Sequence, residues 1–242
     1  MSKRKARFAA QAVDSNVISI NSYYSRKKQV HLLPKTLNQE IYINLLTDPE
    51  KLIIFATGPA GTGKTMLAML AGIKALKQGH ISKIVLTRPA VGVDDEQHGF
   101  LPGDLNQKME PWTRPLFDVL AEYYDRKDIT KMLDEQVIEI SPLAFMRGRT
   151  FKNAWIIADE MQNATPNQMK MLLTRLGESS KMVVTGDIQQ TDRTTKDNGL
   201  LDFKGLVQSY QDCKYVAGVE LTGKDIQRHP AVIEVLKIYN EI

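Results

Sequence analysis

The stretch Gly58-Pro59-Ala60-Gly61-Thr62-Gly63-Lys64-Thr65 carries the residue types that hold a phosphate. It follows the apolar run Leu52-Ile53-Ile54-Phe55-Ala56 and opens an apolar-periodic segment, Met66 to Lys77. A strand delivers the chain, glycines let the backbone curl until its N–H groups converge, and the positive end of the next helix faces the same point. The spacing of Gly58, Gly63, Lys64 and Thr65 is that of a nucleotide-binding P-loop. Lys64 is then expected to reach the β- and γ-phosphates, and Thr65 to hold Mg²⁺ through its hydroxyl.

A second landmark is Trp155-Ile156-Ile157-Ala158-Asp159-Glu160, an apolar run that ends in two adjacent carboxylates. Strand alternation turns their side chains apart, so one can face a metal while the other faces an attacking water. Asp159 is expected to bind Mg²⁺, directly or through water, and Glu160 to orient or deprotonate the hydrolytic water. The run Lys181 to Thr185 closes in Gly186-Asp187-Ile188-Gln189-Gln190, where a γ-phosphate or water sensor belongs. Arg88 stands at the exit of Lys83-Ile84-Val85-Leu86-Thr87; ligands of an open α/β sheet sit at such exits, so Arg88 either contacts a ligand or pairs with a carboxylate. Arg147 and Arg149 flank Gly148. They can grip a phosphate, from nucleic acid or a neighbour's nucleotide, or form a solvated basic turn.

These groups need a sheet whose strands all end on one side. Apolar runs at 52–56, 83–87, 137–140, 155–158, 181–185 and 215–221, alternating with helical patterns, predict an α/β fold with a mostly parallel sheet sandwiched by helices. Asn38 or Thr36 can cap a first helix carrying Ile41, Leu45 and Leu46, on which Gln39 is either an exposed residue or a contact to an adenine edge. Thr165-Pro166 starts a helix that runs to Gly177, and Asp225-Ile226-Gln227-Arg228-His229-Pro230 opens a terminal one through Ile238. Residues 92–135 break the alternation and read as a helical insertion after the second strand, too short for a core of its own. Its aromatics Trp112, Phe117 and Tyr123 either pack or stack on bases. The expected organisation is a basic extension over 1–32 and one domain over 33–242.

The 242 residues carry a net charge of +4 and a pI near 9.0, which fits a polyanionic partner. Lys3, Arg4, Lys5, Arg7, Arg26, Lys27 and Lys28 crowd the first thirty residues, as a solvated tail or a nucleic-acid-binding arm. No apolar stretch reaches the ~18 residues of a membrane span, and no apolar segment follows the basic N-terminus as a secretory signal requires. The single cysteine, Cys213, suits a reducing cytoplasm, the expected location. The four histidines lie too far apart for metal-ligand spacing, and no serine or cysteine signature suggests a hydrolytic triad.

The chain resembles the PhoH family, P-loop ATPases whose core is similar to the first motor domain of superfamily 1 helicases. The resemblance rests on the P-loop, on Thr87-Arg88-Pro89-Ala90-Val91, Gly99-Phe100-Leu101-Pro102-Gly103-Asp104-Leu105, Pro142 to Thr150, Gln168 to Gly177 and Arg228-His229-Pro230. Asp159-Glu160-Met161-Gln162 and Gly186-Asp187-Ile188-Gln189-Gln190 agree with it. It implies a RecA-like fold, ATP and Mg²⁺ as ligands, remodelling of RNA or single-stranded nucleic acid, and assembly into rings such as hexamers. By position, Gln39 matches the adenine-contacting glutamine of helicases, Asp159 and Glu160 the metal and water residues, and Gln189 the phosphate sensor. The family's Asp-Leu-Pro after the sensor strand is Asp192-Arg193-Thr194 here, and no nuclease module is expected.

The sequence therefore points to an Mg²⁺-dependent ATPase acting on single-stranded nucleic acid. Such helicases close ATP between two motor domains, and this chain has room for one. A neighbouring copy is expected to supply an arginine to the γ-phosphate, with Arg228, Arg149, Arg147 and Arg175 as candidates. The alternatives are a nucleotide-switched protein acting on a protein partner and a P-loop kinase.

Overall fold

Five of the six apolar runs are so short and so continuously apolar that only a sheet covered on both faces can bury them. The computed structural model describes residues 29–89, 114–190, 197–210 and 212–239. Its strands are β1 (Ile53–Thr57), β2 (Lys83–Thr87), β3 (Ile138–Ile140), β4 (Ala154–Ala158), β5 (Lys181–Gly186) and β6 (Val216–Glu220). They form one sheet in the order β3-β2-β4-β5-β1-β6, parallel at every pairing. All their carboxyl ends therefore lie on one side.

Strand alternation divides the core between two faces. Ile54, Ala56, Ile84, Leu86, Trp155, Ile157 and Val183 point to one side, where they meet α1 (Leu37–Thr47), α2 (Lys64–Lys77), α3 (residues 114–121) and α4 (Arg126–Asp134). Phe55, Val85, Ile156, Ala158, Met182 and Val184 point to the other, against α5 (Pro166–Leu173) and α6 (Gly199–Ser209). The period of two in the strands thus sets which helices share a layer.

The two helices of the predicted insertion that fall in the described residues pack on the first face through Leu116, Leu120, Ile129 and Met132. Tyr123 and Tyr124 are buried with them, with the Lys77 ammonium 5.6 and 5.0 Å from their ring centres. Tyr123 is therefore packing, not a stacking platform. Trp112 and the motif from Gly99 to Leu105 lie outside the described residues, as do the basic residues 1–28. Val30 is already buried against α1's layer, slightly ahead of the expected start of the core.

Two helix ends differ from the sequence expectation. α5 stops at Leu173 because the Thr174 hydroxyl turns back onto Lys170 O and Met171 O, and residues 175–177 are drawn into pairing with Phe151. The terminal helix, α7 (Pro230–Ile238), begins five residues after Asp225, which belongs to a short 3-10 turn at Gly223–Asp225. Pro230 forces the residue before it out of helical geometry, and His229 sits at ψ 141°, so the helix cannot start earlier.

Candidate nucleotide-binding site

The P-loop leaves β1 at Thr57 and enters α2 at Lys64 through three glycines with positive φ: Gly58, Gly61 and Gly63. At Gly58 a side chain is excluded twice over, by φ +140° and because a Cβ would lie 2.1 Å from Leu221 O on the exit of β6. The first N–H groups of α2 have no intrahelical acceptor and face the loop's interior. Lys64 folds over this concavity, its ammonium donating to Gly58 O at 2.5 Å and Pro59 O at 2.8 Å. Burial pushes its pKa below the ordinary lysine value, and the carboxylates of Asp187, Glu160 and Asp159 pull it partly back. A phosphate entering the loop would replace those two carbonyls as the lysine's partner and supply the missing negative charge.

β4 lies two strands from β1, about 10 Å away, with β5 between them. The gap is bridged by side chains. The Thr65 hydroxyl donates to Asp159 Oδ1 at 2.7 Å, and Thr185 of β5, fully buried, donates to the same oxygen at 2.5 Å. These are oxygen donors only, the set a hard cation takes, and Mg²⁺ is usually held by one or two protein oxygens with phosphates and waters completing the shell. Thr65 and Asp159 therefore fit Mg²⁺. No cluster of three or more His, Cys, Asp or Glu able to hold a metal occurs among the described residues.

Glu160 occupies a left-handed conformation, φ 54°, ψ 38°, at the start of a 3-10 turn over Met161–Asn163. That turn brings Gln162 beneath it. Gln162 donates from Nε2 to Glu160 Oε2 at 2.5 Å and accepts from the Asp187 backbone N–H at 3.1 Å. One buried amide thus ties the second carboxylate of the acidic pair to the exit of β5. Asp187 in turn accepts from Gln189 N at 3.0 Å.

A cleft of about 480 Å³ joins these groups: Gln39, Lys64, Thr65, Arg88, Asp159, Glu160, Asp187, Gln190 and Arg228 all line it. Arg88 is half-buried there and pairs with no carboxylate among the described residues. Gln189 does not line this cleft. It turns into a neighbouring one of about 900 Å³ behind Gly58-Pro59, and Gln190 faces the P-loop instead. The chain bends over residues 188–190, past the end of β5, and this sends the two side chains to different clefts.

Arg228 lies against its own chain's P-loop. A Cβ at Gly61 (φ +83°) would come within 2.4 Å of Arg228 Nε, and Gln227 N donates to Gly61 O at 2.9 Å. The segment is anchored by Asp225, 2% exposed, which accepts from Asn38 Nδ2 at 2.8 Å and from Thr222 N at 2.7 Å. Burial alone would raise the Asp225 pKa; the hydrogen bonds from Asn38, Thr36 and Thr222 outweigh it and hold the carboxyl below the ordinary aspartate value. A carboxylate favoured in the folded state stabilises above its unfolded pKa, about 3.9, and loses that contribution as pH falls through the lower folded value. Asp225→Asn is therefore expected to lower stability by about 1–3 kcal/mol at neutral pH, with the gap to wild type closing below about pH 4. Thermal melts of both chains across that pH range would show it; a gap independent of pH would refute it.

The remaining arginines are placed elsewhere. Arg149 forms a two-pronged ion pair with Glu139 of β3, one contact at 3.0 Å to Oε2, and stacks 4.5 Å from the Phe151 ring centre. Glu139 also accepts from Lys83 at 2.9 Å; burial raises its pKa, but Arg149 and Lys83 lower it further, leaving it below the ordinary value. Arg149 is thus paired with a carboxylate, stays partly exposed and does not line its own chain's cleft. Arg175 bonds Met171 O, Arg149 O and the Thr174 hydroxyl, and so braces the end of α5. Arg147 is exposed and makes no ion pair with the described residues. The loop holding Asp192-Arg193-Thr194 lies outside the described residues. Sequence reasoning missed Thr185, Gln162 as the partner of Glu160, and Asp225. For Thr185 a signal existed, a hydroxyl at the end of an otherwise apolar strand.

The PhoH-like protein family model matches residues 31–240. A PhoH-like protein of Bacillus subtilis strain 168 is 44% identical over 209 residues, covering 86% of this chain and 63% of that protein. One of Mycobacterium tuberculosis strain H37Rv is 43% identical over 225 residues, 93% of this chain and 62% of that protein. Protein PhoH of Escherichia coli K12 is 46% identical over 144 residues, 59% of this chain and 40% of that protein. The chain thus spans about three fifths or less of the length of these relatives. Among solved structures, the Pyrococcus furiosus Hef helicase domain gives a TM-score of 0.46 at 10% identity, covering 77% of this chain and 38% of that one. The Sulfolobus solfataricus SWI2/SNF2 ATPase core in complex with dsDNA gives 0.43 at 12%, covering 84% and 49%. No helix among the described residues is long and apolar enough to cross a membrane. With an all-parallel sheet, a P-loop between β1 and α2 and an acidic pair at the exit of β4, the fold is that of a RecA-like P-loop NTPase, and the chain belongs to the PhoH family.

Proposed function

We propose that this chain is an Mg²⁺-dependent ATPase that couples hydrolysis to binding and movement of single-stranded nucleic acid, with RNA as the favoured polymer. The observation that carries the hydrolytic half is the hydrogen bond between Thr65 and Asp159, which joins the P-loop to the acidic pair across 94 residues of sequence. Thr65 and Asp159 would hold Mg²⁺, which when bound would supply positive charge against the phosphates. Lys64 leaves Gly58 O and Pro59 O for phosphate oxygens. Glu160, held by Gln162, takes a proton from the water whose oxygen attacks the γ-phosphorus, and the bond to the β–γ bridging oxygen breaks to give ADP and phosphate. Arg88 and Arg228, which both line the cleft, bring two guanidinium groups to the charge that gathers on the transferring group.

The nucleic-acid half is supported by the seven Lys and Arg residues within the first 28 and by the pI near 9.0. A homo-oligomer, a ring such as a hexamer, is proposed from the family resemblance, with an arginine of a neighbouring copy completing the cleft. The cytoplasm is the proposed location. Steady-state ATP hydrolysis with and without single-stranded RNA and DNA, at two salt concentrations, tests the reading. Stimulation by one polymer that fades as salt rises is expected, because contacts to the phosphate backbone weaken steeply with salt. Hydrolysis indifferent to both polymers would remove the nucleic-acid half and leave an ATPase with a protein partner.

A further inference from the structure

Gln39 is the residue whose surroundings depart most from its expected role. We propose that Gln39 is a positioning clamp on the P-loop and not a reader of the base, so that the pocket accepts GTP as well as ATP. The inference rests on the nucleotide-site reading above and names its substrate class.

Gln39 is 2% exposed in the first turn of α1. Its Oε1 accepts the Lys35 backbone N–H at 2.8 Å, and its Nε2 donates to the Thr62 carbonyl at 3.0 Å. These partners fix which way the amide points: an N–H can meet only the oxygen, and a carbonyl only the nitrogen. A glutamine reads adenine by offering the same two groups, oxygen to the 6-amino group and nitrogen to N7. Here both are already committed to backbone, one of them to the P-loop itself. Swinging the side chain towards a base would leave Thr62 O without a partner in a buried place and break the part-buried bond from Lys35 N.

The helix cannot carry Gln39 outward as a unit either. Its own N–H is capped by the Thr36 hydroxyl at 3.3 Å, Asn38 is bonded to buried Asp225 at 2.8 Å, and the Tyr42 hydroxyl donates to Lys64 O at 3.1 Å. Gln39 and Tyr42 therefore hold two successive parts of the loop, the carbonyls of Thr62 and Lys64, from one helix. That arrangement fixes the shape of the phosphate cradle.

Among the described residues, what remains beside Gln39 for a base is mostly apolar. Leu33, 74% exposed, and Met66, 47% exposed, line the cleft with Pro115 and Leu116 and can cover either purine. Lys35 lines it too and brings donors only. Guanine presents O6 and N7 as acceptors and adenine presents N7, so a lysine there does not reject guanine. A site that discriminates strongly does so by leaving its own buried polar groups unpaired against the wrong substrate. Gln39, already paired on both ends, cannot impose that penalty.

The test is displacement of a ribose-labelled fluorescent ATP analogue, with Mg²⁺ present, by ATP, GTP and inorganic tripolyphosphate, on the full chain and on Gln39→Leu. In the wild type, ATP and GTP are expected to compete within about threefold of each other, against the ~5- to 150-fold that a bidentate amide reader imposes. In Gln39→Leu all three competitors, including the one with no base, are expected to weaken by a common factor of about ten. Tripolyphosphate separates the two roles, because a base reader has no effect on it. A wild-type preference for ATP of tenfold or more overturns the proposal, as does a variant that weakens ATP alone or leaves tripolyphosphate unchanged. If neither nucleotide nor tripolyphosphate binds the wild type, the nucleotide site itself is refuted, which is a different failure. Circular dichroism melts check that the variant folds; Gln39→Met, closer in shape, repeats the comparison, and the wild-type ratio needs no variant.

Discussion

Replacing Glu160 with glutamine is expected to slow ATP hydrolysis by ~10²–10⁴-fold while nucleotide binding is nearly unchanged. The substitution removes basicity and little else. Glu160 is held by its backbone at φ 54° and by the Gln162 amide at 2.5 Å, and a glutamine oxygen can accept the same hydrogen bond. The phosphate-facing groups, Lys64 and the start of α2, and the metal-facing pair, Thr65 and Asp159, belong to other contacts and stay in place. Single-turnover hydrolysis beside a binding titration separates the two effects. Hydrolysis retained within about tenfold would mean that another group receives the proton.

Arg228→Ala is expected to cost ~10³-fold or more in rate, the scale of an arginine that meets charge on a transferring phosphoryl group. The sequence made Arg228 a candidate for a neighbour's site, but its side chain lies over Gly61 of its own loop, on a segment tied to that loop by Gln227 N and to α1 by Asp225. Mixing decides the matter. In a mixed oligomer of Arg228→Ala and Glu160→Gln chains, an arginine acting on its own site restores nothing, since each site still lacks one group. An arginine acting across the interface would rebuild complete sites from the two variants. No recovery is expected, and recovery would move Arg228 to the neighbour. Arg147, exposed and without an ion-pair partner among the described residues, is then the candidate for an arginine supplied in trans. Arg149 pairs with Glu139 and Arg175 bonds the end of α5, so either would have to leave these partners to act in trans.

The pattern of residues along the chain determined the strands, the P-loop and the acidic pair. Each of these is a local property: an apolar run of five is long enough to define a buried parallel strand, glycine at a fixed spacing sets where the backbone can curl, and a strand's last residues must emerge at its carboxyl end. The meeting of Thr65 with Asp159 was legible for the same reason, since parallel strands put all such ends on one edge.

Tertiary structure alone decided which side chains those ends share. Gln190 lines the cleft it shares with the P-loop and Gln189 a neighbouring one, a division set by how the chain bends after β5. Arg149 pairs with Glu139 because β3 lies at the sheet edge beside the turn that carries the arginine, a proximity no spacing rule encodes. Gln39 read as an exposed helix residue or a base contact; packing α1 onto the P-loop buried it and gave both ends of its amide to backbone. A side chain's type states which bonds it can make. Which of them it makes follows from the partners that packing brings within 3 Å, and buried polar groups accept the nearest partner because going without one costs about 1–3 kcal/mol.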